Sequence, residues 1–286
     1  MTRQRGFTLV ELIVVMVIIG IIAGVLVLQL RPAMQSYLAI RQRANLTSQA
    51  DAALRRIIGE VHAAVPNSLR YSLESQQTQC IEFVPTKAGG RYRMAQDYTD
   101  VNQPKGAALV PGVPVTTFDS LTDVDGAVTQ GDFVVVGNVN RDDVYAGTNV
   151  GVIQAITDST QAADRAVAAH LVTLAAPVSF PAGYEGGRFL VVPKDERAVT
   201  YTCTMPTSGG TGTIVRVTGY TPNAAPWKTC PTGPAILVAK VSDCSFLYHE
   251  SEGATQQSGY LQLRLGLTDG DESVKLTMGA HVENVP

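Results

Sequence analysis

The chain opens its longest apolar run with GFTLVE at residues 6–11, and the run continues to residue 30. Within residues 7–30 the only charged side chain is Glu11, and Thr8 and Gln29 are the only other polar ones. A helix rises about 1.5 Å per residue, so this segment reaches roughly 36 Å, which is enough to cross the hydrocarbon core of a bilayer. Residues 7–30 are therefore predicted to form a transmembrane helix.

A short hydrophilic leader, residues 1–6, precedes the run. It contains Arg3 and Arg5 and no acid, so the positive-inside bias predicts a cytoplasmic N-terminus and export of the C-terminal bulk. An ordinary secretory signal has a shorter apolar core followed by a small-residue cleavage site, whereas this run is followed by Arg31 and Pro32. We therefore expect the apolar helix to remain part of the mature chain.

Glu11 places a carboxylate inside this membrane-length helix. On insertion scales an acid near the bilayer centre costs about 2.5–3.5 kcal/mol, and such acids usually have a partner or a function. Two interpretations stay open. Either Glu11 reaches towards the cytoplasmic headgroups, or it meets an oppositely charged group of another molecule within the membrane.

The rest of the chain divides into a second helical segment and a β-rich domain. Apolar residues recur at helical spacing over residues 31–65, among arginines and acids, and Pro66 marks the end of this amphipathic half. Residues 66–286 contain short apolar or alternating runs separated by Gly, Pro, Asp and Thr, a texture typical of strands. The predicted fold class is α+β, with one long helix packed on a mostly antiparallel β-sheet domain.

Ten strands and one helical turn are predicted in this domain. The strands are at residues 80–84, 133–137, 151–156, 188–192, 198–204, 213–218, 235–241, 244–248, 261–267 and 273–282, and the turn is at residues 162–170. No internal repeat and no further domain boundary is evident.

Four cysteines lie in the part that is predicted to be exported, where an oxidising compartment lets disulfides persist. Three pairings are possible. Cys203–Cys230 is favoured because it closes the glycine-rich segment between them, and Cys80–Cys244 because it joins two apolar strands. Zinc binding is the rival use, but no C-x-x-C pair occurs and the spacings are wide, so no metal site is expected.

The sequence contains no recognisable set of catalytic residues. The four histidines are scattered and belong to no H-E-x-x-H, G-x-S-x-G or phosphate-binding motif; they are His62, His170, His249 and His281. The protein is therefore predicted not to be an enzyme, and no cofactor is expected.

Three weaker signals remain. Residues 123–126 and 138–143 concentrate oxygen ligands as calcium loops do, but they lack the spacing and closing glutamate of an EF-hand, and β-turns explain them more simply. Trp227 is either an exposed contact for a partner or sugar, or a ring that covers a neighbouring disulfide. The formal net charge is −3, without a dense basic face, so nucleic-acid binding is not expected.

The GFTLVE motif, its basic leader and the Val- and Ile-rich stretch after it resemble the class III signal of type IV pilins and type II secretion pseudopilins. The resemblance implies a prepilin peptidase that cuts on the cytoplasmic side after Gly6 and methylates the new N-terminus at Phe7. It implies that Glu11 meets the positive amine of a neighbouring subunit as helices join a filament, since opposite charges attract strongly in a weakly screened medium.

The same resemblance implies a type IV pilin-like fold and a single-pass inner-membrane protein with a periplasmic C-terminal domain. One departure is that the proline often found about two thirds of the way through the apolar segment of major pilins is absent here. Four arginines along the second half of the helix are expected to pair with acids on adjacent subunits; they are Arg41, Arg43, Arg55 and Arg56.

Segments after the leader indicate which subfamily of pilins the chain resembles. The chain is similar to the large minor pilin of mannose-sensitive haemagglutinin (MSHA) pili, the MshO type, in AALRR (52–56), EFVPTKAGGRYR (82–93), RFLVV (188–192), VTYTC (199–203) and HVENVP (281–286). That family is similar in turn to the J-type minor pseudopilin of type II secretion. The resemblance implies a low-abundance subunit that joins other minor pilins and the major pilin, and helps to start assembly on an inner-membrane platform. A pilus-tip adhesin is a further alternative.

Overall fold

One long helix packs on two antiparallel β-sheets in the computed structural model, which describes residues 6–98, 105–124, 126–159, 168–182, 186–250 and 258–284. Helix α1, Leu9–His62, continues through Pro32. Its first half is exposed, whereas its second half buries one stripe of side chains at spacings of three or four, namely Leu46, Ala50, Ala53, Leu54, Ile57 and Val61. The prediction of one long helix with an amphipathic second half is confirmed.

The large sheet has seven strands in the order β1-β2-β9-β10-β11-β12-β13. Their bounds are β1 Arg70–Leu73, β2 Thr78–Phe83, β9 Val199–Thr204, β10 Gly212–Val217, β11 Ile236–His249, β12 Ser258–Asp269 and β13 Glu272–Glu283. Each pairs with its neighbours in antiparallel register. The helix lies mainly over β12 and β13.

The small sheet has six strands in the order β3-β8-β5-β6-β7-β4, again antiparallel. Their bounds are β3 Ala88–Arg91, β4 Pro114–Ser120, β5 Phe133–Val135, β6 Val150–Asp158, β7 His170–Ser179 and β8 Arg188–Val192. A four-residue helix, α2 Asp143–Ala146, lies between β5 and β6.

Alternation along β12 explains why the helix packs there. Its inward residues form an unbroken leucine row beneath α1, consisting of Leu261, Leu263, Leu265 and Leu267. Successive strand side chains point to opposite faces, so this row and the helix stripe form one core. A second core fills the small sheet around Phe118 and Phe189, and a smaller cluster with Val65 and Val84 joins the two sheets.

Most predicted strands overlap observed ones, but two predictions differ. The runs at 235–241 and 244–248 form a single strand, β11, because an irregularity in its pairing with β12 at Val241 and Asp243 bends the strand without ending it. Of the predicted turn at 162–170, residues 162–167 lie outside the described residues, and His170 begins strand β7. Strands β1, β3, β4 and β7 were not predicted.

The disulfide pairing expected from sequence is wrong. The structure joins Cys80 to Cys230 and Cys203 to Cys244, with Cα–Cα distances of 5.8 and 6.7 Å. Across β2 and β9, Cys80 is in register with Thr202 while Cys203 is one position further along, so the two sulfurs point to opposite faces of the sheet. Cys203 therefore reaches the helix-facing core with Cys244, and Cys80 meets Cys230 on the other face.

Candidate functional site

The N-terminal end of α1 contains the residues that the sequence singles out for processing and assembly. Thr8 is the N-cap, with φ −81° and ψ 151°, and the helix begins at Leu9. Gly6 and Phe7 precede the cap outside the helix, and Phe7 is 82% exposed. The bond between them thus lies in an accessible, non-helical segment, the kind that peptidases cut most readily. Residues 1–5 of the leader lie outside the described residues.

Glu11 closes a capping box with Thr8. Its Oε2 accepts hydrogen bonds from the Thr8 backbone N–H and hydroxyl, both at 3.2 Å, and its own N–H donates to Thr8 Oγ1 at 3.3 Å. The T-x-x-E spacing at the start of an apolar run is a known signal for this motif, and the sequence reasoning missed it. A carboxylate in the first turn is also favoured by the helix dipole. Glu11 Oε1 has no hydrogen-bond partner among the described residues.

The apolar half of α1 stands clear of the rest of the molecule. Among the described residues, α1 is the one helix that is long and apolar enough to cross a membrane, and none of its most apolar window is buried. The first polar contacts between the helix and the β-domain are the hydrogen bond from Gln42 to the carbonyl oxygen of Asp269 at 2.7 Å and the ion pair of Arg43 with Glu272. These contacts lie about 18 Å along the helix axis beyond Leu30.

Three of the four helix arginines have acidic partners within the chain, and their expected pairing with adjacent subunits stays a prediction. Arg43 pairs with Glu272, Arg55 with Asp51 at 2.8 Å, and Arg56 with Glu60 at 3.1 Å. The last two are i,i+4 pairs, which neighbouring turns of one helix bring together. The Arg41 guanidinium lies 5.8 Å from the ring centre of Tyr37.

The four histidines do not meet at one site in the described structure, but His170 has a setting that the sequence did not reveal. It is buried, with Nε2 2.9 Å from Asp123 Oδ1 and Nδ1 2.9 Å from Asp158 Oδ1. Because both ring nitrogens face carboxylates, neither is placed to activate a nucleophile. Elsewhere, His62 Nε2 contacts the carbonyl oxygen of His281 at 3.0 Å.

The oxygen-rich segment 138–143 is used for internal hydrogen bonds. Asn138 is buried, donates to the Pro66 carbonyl at 2.6 Å and accepts from the Val144 N–H at 2.9 Å. Asn140 and Asp143 bond each other in a local turn. In the other candidate calcium segment, 123–126, residue 125 lies outside the described residues.

Trp227 is half-buried and belongs to the loop of residues 218–235 that joins β10 to β11. Its ring packs edge-on against Tyr220, with 5.5 Å between ring centres. Tyr220 in turn donates to Glu82 Oε1 at 2.9 Å. The ring is therefore partly covered by Tyr220, and the two roles considered from sequence, a contact for a partner or sugar and a cover for the neighbouring disulfide, stay predictions.

A buried arginine fastens this loop to both sheets. Arg70 on β1 is 2% exposed and donates to the carbonyl oxygens of Asn223 and Ala224, each at 2.9 Å. Its Nη2 lies 2.7 Å from Asp142 Oδ1, and its guanidinium lies 3.3 Å from the ring centre of Tyr145. These residues are far apart in sequence, so no local pattern announces the cluster.

Glu82 balances part of the positive charge of Arg70. It is buried on β2, 3.8 Å from Arg70 Nη1. Burial raises the pKa of the Glu82 carboxyl, although the hydrogen bond from Tyr220 and the charge of Arg70 act in the opposite direction. Arg70 and Glu82 thus hold the loop against the sheets through buried polar contacts.

Residues 1–27 match the family model described as the prokaryotic N-terminal methylation motif. No curated protein and no solved structure matches the chain. The motif is the class III leader of type IV pilins, and one long helix on antiparallel sheets fits a type IV pilin-like fold. The apolar helix is consistent with anchoring in the inner membrane. The leader is thus similar to that of type IV pilins and pseudopilins, and the fold fits a type IV pilin-like fold.

Proposed function

We propose that this chain is a non-catalytic minor pilin that helps to initiate and assemble an MSHA-like type IV pilus, in a tip complex with other minor pilins. The observation that carries the proposal is the methylation motif of residues 1–27 at the head of an exposed apolar helix. The internal sequence resemblance to MSHA minor pilins supports the choice of pilus.

The proposal includes processing and membrane anchoring of the N-terminus. The basic leader stays cytoplasmic, a prepilin peptidase cuts between Gly6 and Phe7, and the amine of Phe7 is methylated. The apolar helix then holds the subunit in the inner membrane while the β-domain lies in the periplasm.

Glu11 has two roles in this proposal. Through Oε2 it caps its own helix, and through Oε1 it offers a negative charge to the N-terminal amine of a neighbouring subunit. In lipid an unpaired carboxylate is costly, so docking on a positive amine relieves that cost and drives assembly.

Three variants separate the charge from the cap. Glu11→Gln keeps an oxygen that accepts from Thr8 but removes the charge, Glu11→Leu removes both, and Thr8→Ala keeps the charge while weakening the cap by about 1 kcal/mol. If the charge guides docking, both Glu11 variants lower incorporation into filaments at least about tenfold, the effect of roughly 1.4 kcal/mol. Thr8→Ala should assemble normally.

The readout is the amount of the subunit in sheared surface filaments, relative to its amount in the membrane. Membrane levels control for insertion, which removal of the acid does not impair. Normal incorporation of Glu11→Gln would contradict docking through the charge, and loss with Thr8→Ala would assign the effect to the cap.

The J-type minor pseudopilin is the second candidate, because the same leader occurs in type II secretion. An in-frame deletion, complemented by wild type and by an uncut Gly6→Val variant, should be scored for surface pili and for secreted proteins in parallel. Lost pili with normal secretion supports the minor pilin, whereas lost secretion with normal pili supports the pseudopilin. Normal pili that no longer attach would support the adhesin alternative.

A further inference from the structure

The two described sheets have four edge strands, namely β1, β3, β4 and β13. These strands differ in how they are protected from pairing with another chain. β1 and β3 have four residues each, and β3 contains Gly89 and Gly90. β4 begins with Pro114, and its Asp119 bonds through its backbone to Arg93 and Ala107, which cover that edge. Short strands, Pro and covering segments are the usual ways in which proteins blunt edges that would otherwise pair with another chain.

Among the described residues, β13 is less protected than these strands, although His62 of the helix bonds the carbonyl oxygen of its His281. It is an edge strand of twelve residues, Glu272–Glu283, without proline. It pairs with β12 in register along its whole length without a bulge. Between its terminal glutamates the only charged side chain is Lys275. An uninterrupted edge of this length is a template on which a further strand can form.

Two hydrogen bonds show which residues direct their backbone groups outward. The carbonyl oxygen of His281 accepts from His62 on the helix, so it points away from β12. The carbonyl oxygen of Glu272 accepts from Thr268 on β12, so it points inward. Because these directions alternate along a strand, the odd-numbered positions 273–279 present their N–H and C=O groups at the free edge, whereas the outward C=O of His281 is already bonded to His62.

The side chains along the same edge suit an added strand. The odd-numbered positions of β13 are exposed, whereas Val274, Leu276 and Met278 face the helix and are only partly buried against the main core. A strand laid along this edge would cover the rest of that apolar row and extend the core by one strand.

The orientation of β13 restricts the partner. Its start lies beside Arg43 and its end beside His62, so β13 runs in the same direction as α1. Antiparallel pairing of two β13 strands from two copies would therefore point their apolar helices in opposite directions. Two subunits anchored in one membrane with the same topology cannot adopt that arrangement.

We propose that β13 is the docking edge for an extended segment of a different pilin-type subunit, which adds to the large sheet as an eighth strand. The proposal rests on the proposed function, since it takes the partner to be anchored in the same membrane. Backbone hydrogen bonds supply the affinity of such an interface, and the partly covered apolar row supplies its register.

Proline at position 277 tests the edge without breaking the sheet. The outward N–H of Thr277 is not used in the ladder with β12, so Thr277→Pro is tolerated by the fold but removes a donor that an added strand needs. Thr277→Val is the matched control, because it keeps the N–H and favours a strand. The full chain of each variant should melt at nearly the same temperature in detergent.

In cells that lack the native gene, Thr277→Pro is expected to lower incorporation into filaments at least about tenfold, while Thr277→Val assembles normally. Equal assembly of the two variants, together with loss on deletion, would overturn the docking edge and leave the proposed function intact. Normal filaments and normal secretion after deletion would instead refute the proposed function.

Photo-cross-linking gives a measurement that does not depend on a proline. Benzoylphenylalanine in place of Lys275 should cross-link to another chain with a methylation-motif leader. In place of Arg264, which lies on the same face of the sheet but on the inner strand β12, it should cross-link far less. Cross-links to a second copy of this chain, or equal yields from the two positions, would overturn the proposal.

Discussion

At the scale of single residues, Asp132 joins three segments of the small sheet. Its side chain is buried and accepts hydrogen bonds from the backbone N–H and hydroxyl of Thr129 at 2.6 and 3.0 Å, and from the Lys194 N–H at 3.1 Å. Lys87 Nζ lies 2.5 Å from its Oδ2. Burial alone would raise the pKa of Asp132, but bonds from Lys87, Thr129 and Lys194 outweigh it and hold the pKa below its ordinary value.

Asp132→Asn removes this charge and is expected to lower the free energy of unfolding by about 1.5–3 kcal/mol near neutral pH. Because the native pKa is lowered, the contribution of the carboxylate is present above the unfolded pKa of 3.8 and is lost as the pH falls through the native value. Urea unfolding in detergent, at neutral and at acidic pH, should show the gap between wild type and variant closing. A gap that is independent of pH would contradict this account.

At the scale of elements, a side chain completes the large sheet where one strand stops short. β10 begins at Gly212, which pairs with Val241 of β11. The part of β11 after Val241 therefore has no β10 residue paired with it. Gln79 of β2 takes the place of the missing strand: Nε2 donates to the Cys244 carbonyl and Oε1 accepts from the Phe246 N–H, both at 2.9 Å. One amide thus satisfies two buried backbone groups.

Gln79→Met keeps the length of the side chain but leaves both backbone groups of β11 without a partner. Each such group costs about 1–3 kcal/mol, so the free energy of unfolding should fall by about 2–6 kcal/mol. Gln76→Met is the control, since Gln76 is exposed, and it should change stability by less than about 0.5 kcal/mol. Chemical denaturation of both variants measures the difference, and equal stabilities would argue against the bridging role.

At the scale of the whole molecule, the 218–235 loop ties the two sheets together. Cys230 joins it to β2, Arg70 joins it to β1 and to the segment before α2, and the Thr202 hydroxyl donates to Pro231 at 2.6 Å. The Cys80–Cys230 bond spans 150 residues of sequence, so it restricts the unfolded chain over more than half its length.

Replacing both Cys80 and Cys230 by Ala is expected to lower the free energy of unfolding by about 2–5 kcal/mol. Amide hydrogens of the loop should exchange faster, while those of β12 and β13 keep their protection. Peptide mapping without reduction should recover Cys80 joined to Cys230 and Cys203 joined to Cys244. A peptide that joins Cys203 to Cys230 would refute the observed pairing.

Prediction from sequence succeeded where the signal is local. The apolar run and the amphipathic repeat of α1 belong to one continuous helix, and the alternation of β12 is plain in LQLRLGL at residues 261–267. Strands β1 and β3 were missed because RYSL and AGGR are short and lack alternation, and their strand conformation depends on their neighbours. The break within β11 was misjudged because a bend in a strand looks like a turn in sequence.

By itself, the sequence determined the leader, the membrane-length helix and the residues at its cap, since each depends on neighbours within a few positions. Tertiary structure decided the disulfide partners, the Arg43–Glu272 ion pair, the cluster around Arg70 and the position of β13 at an open edge. These depend on strand order and register, which set the face on which a side chain lies and which distant residue it meets. A one-residue shift in the pairing of β2 with β9 would place Cys80 and Cys203 on the same face and change the pattern of cross-links.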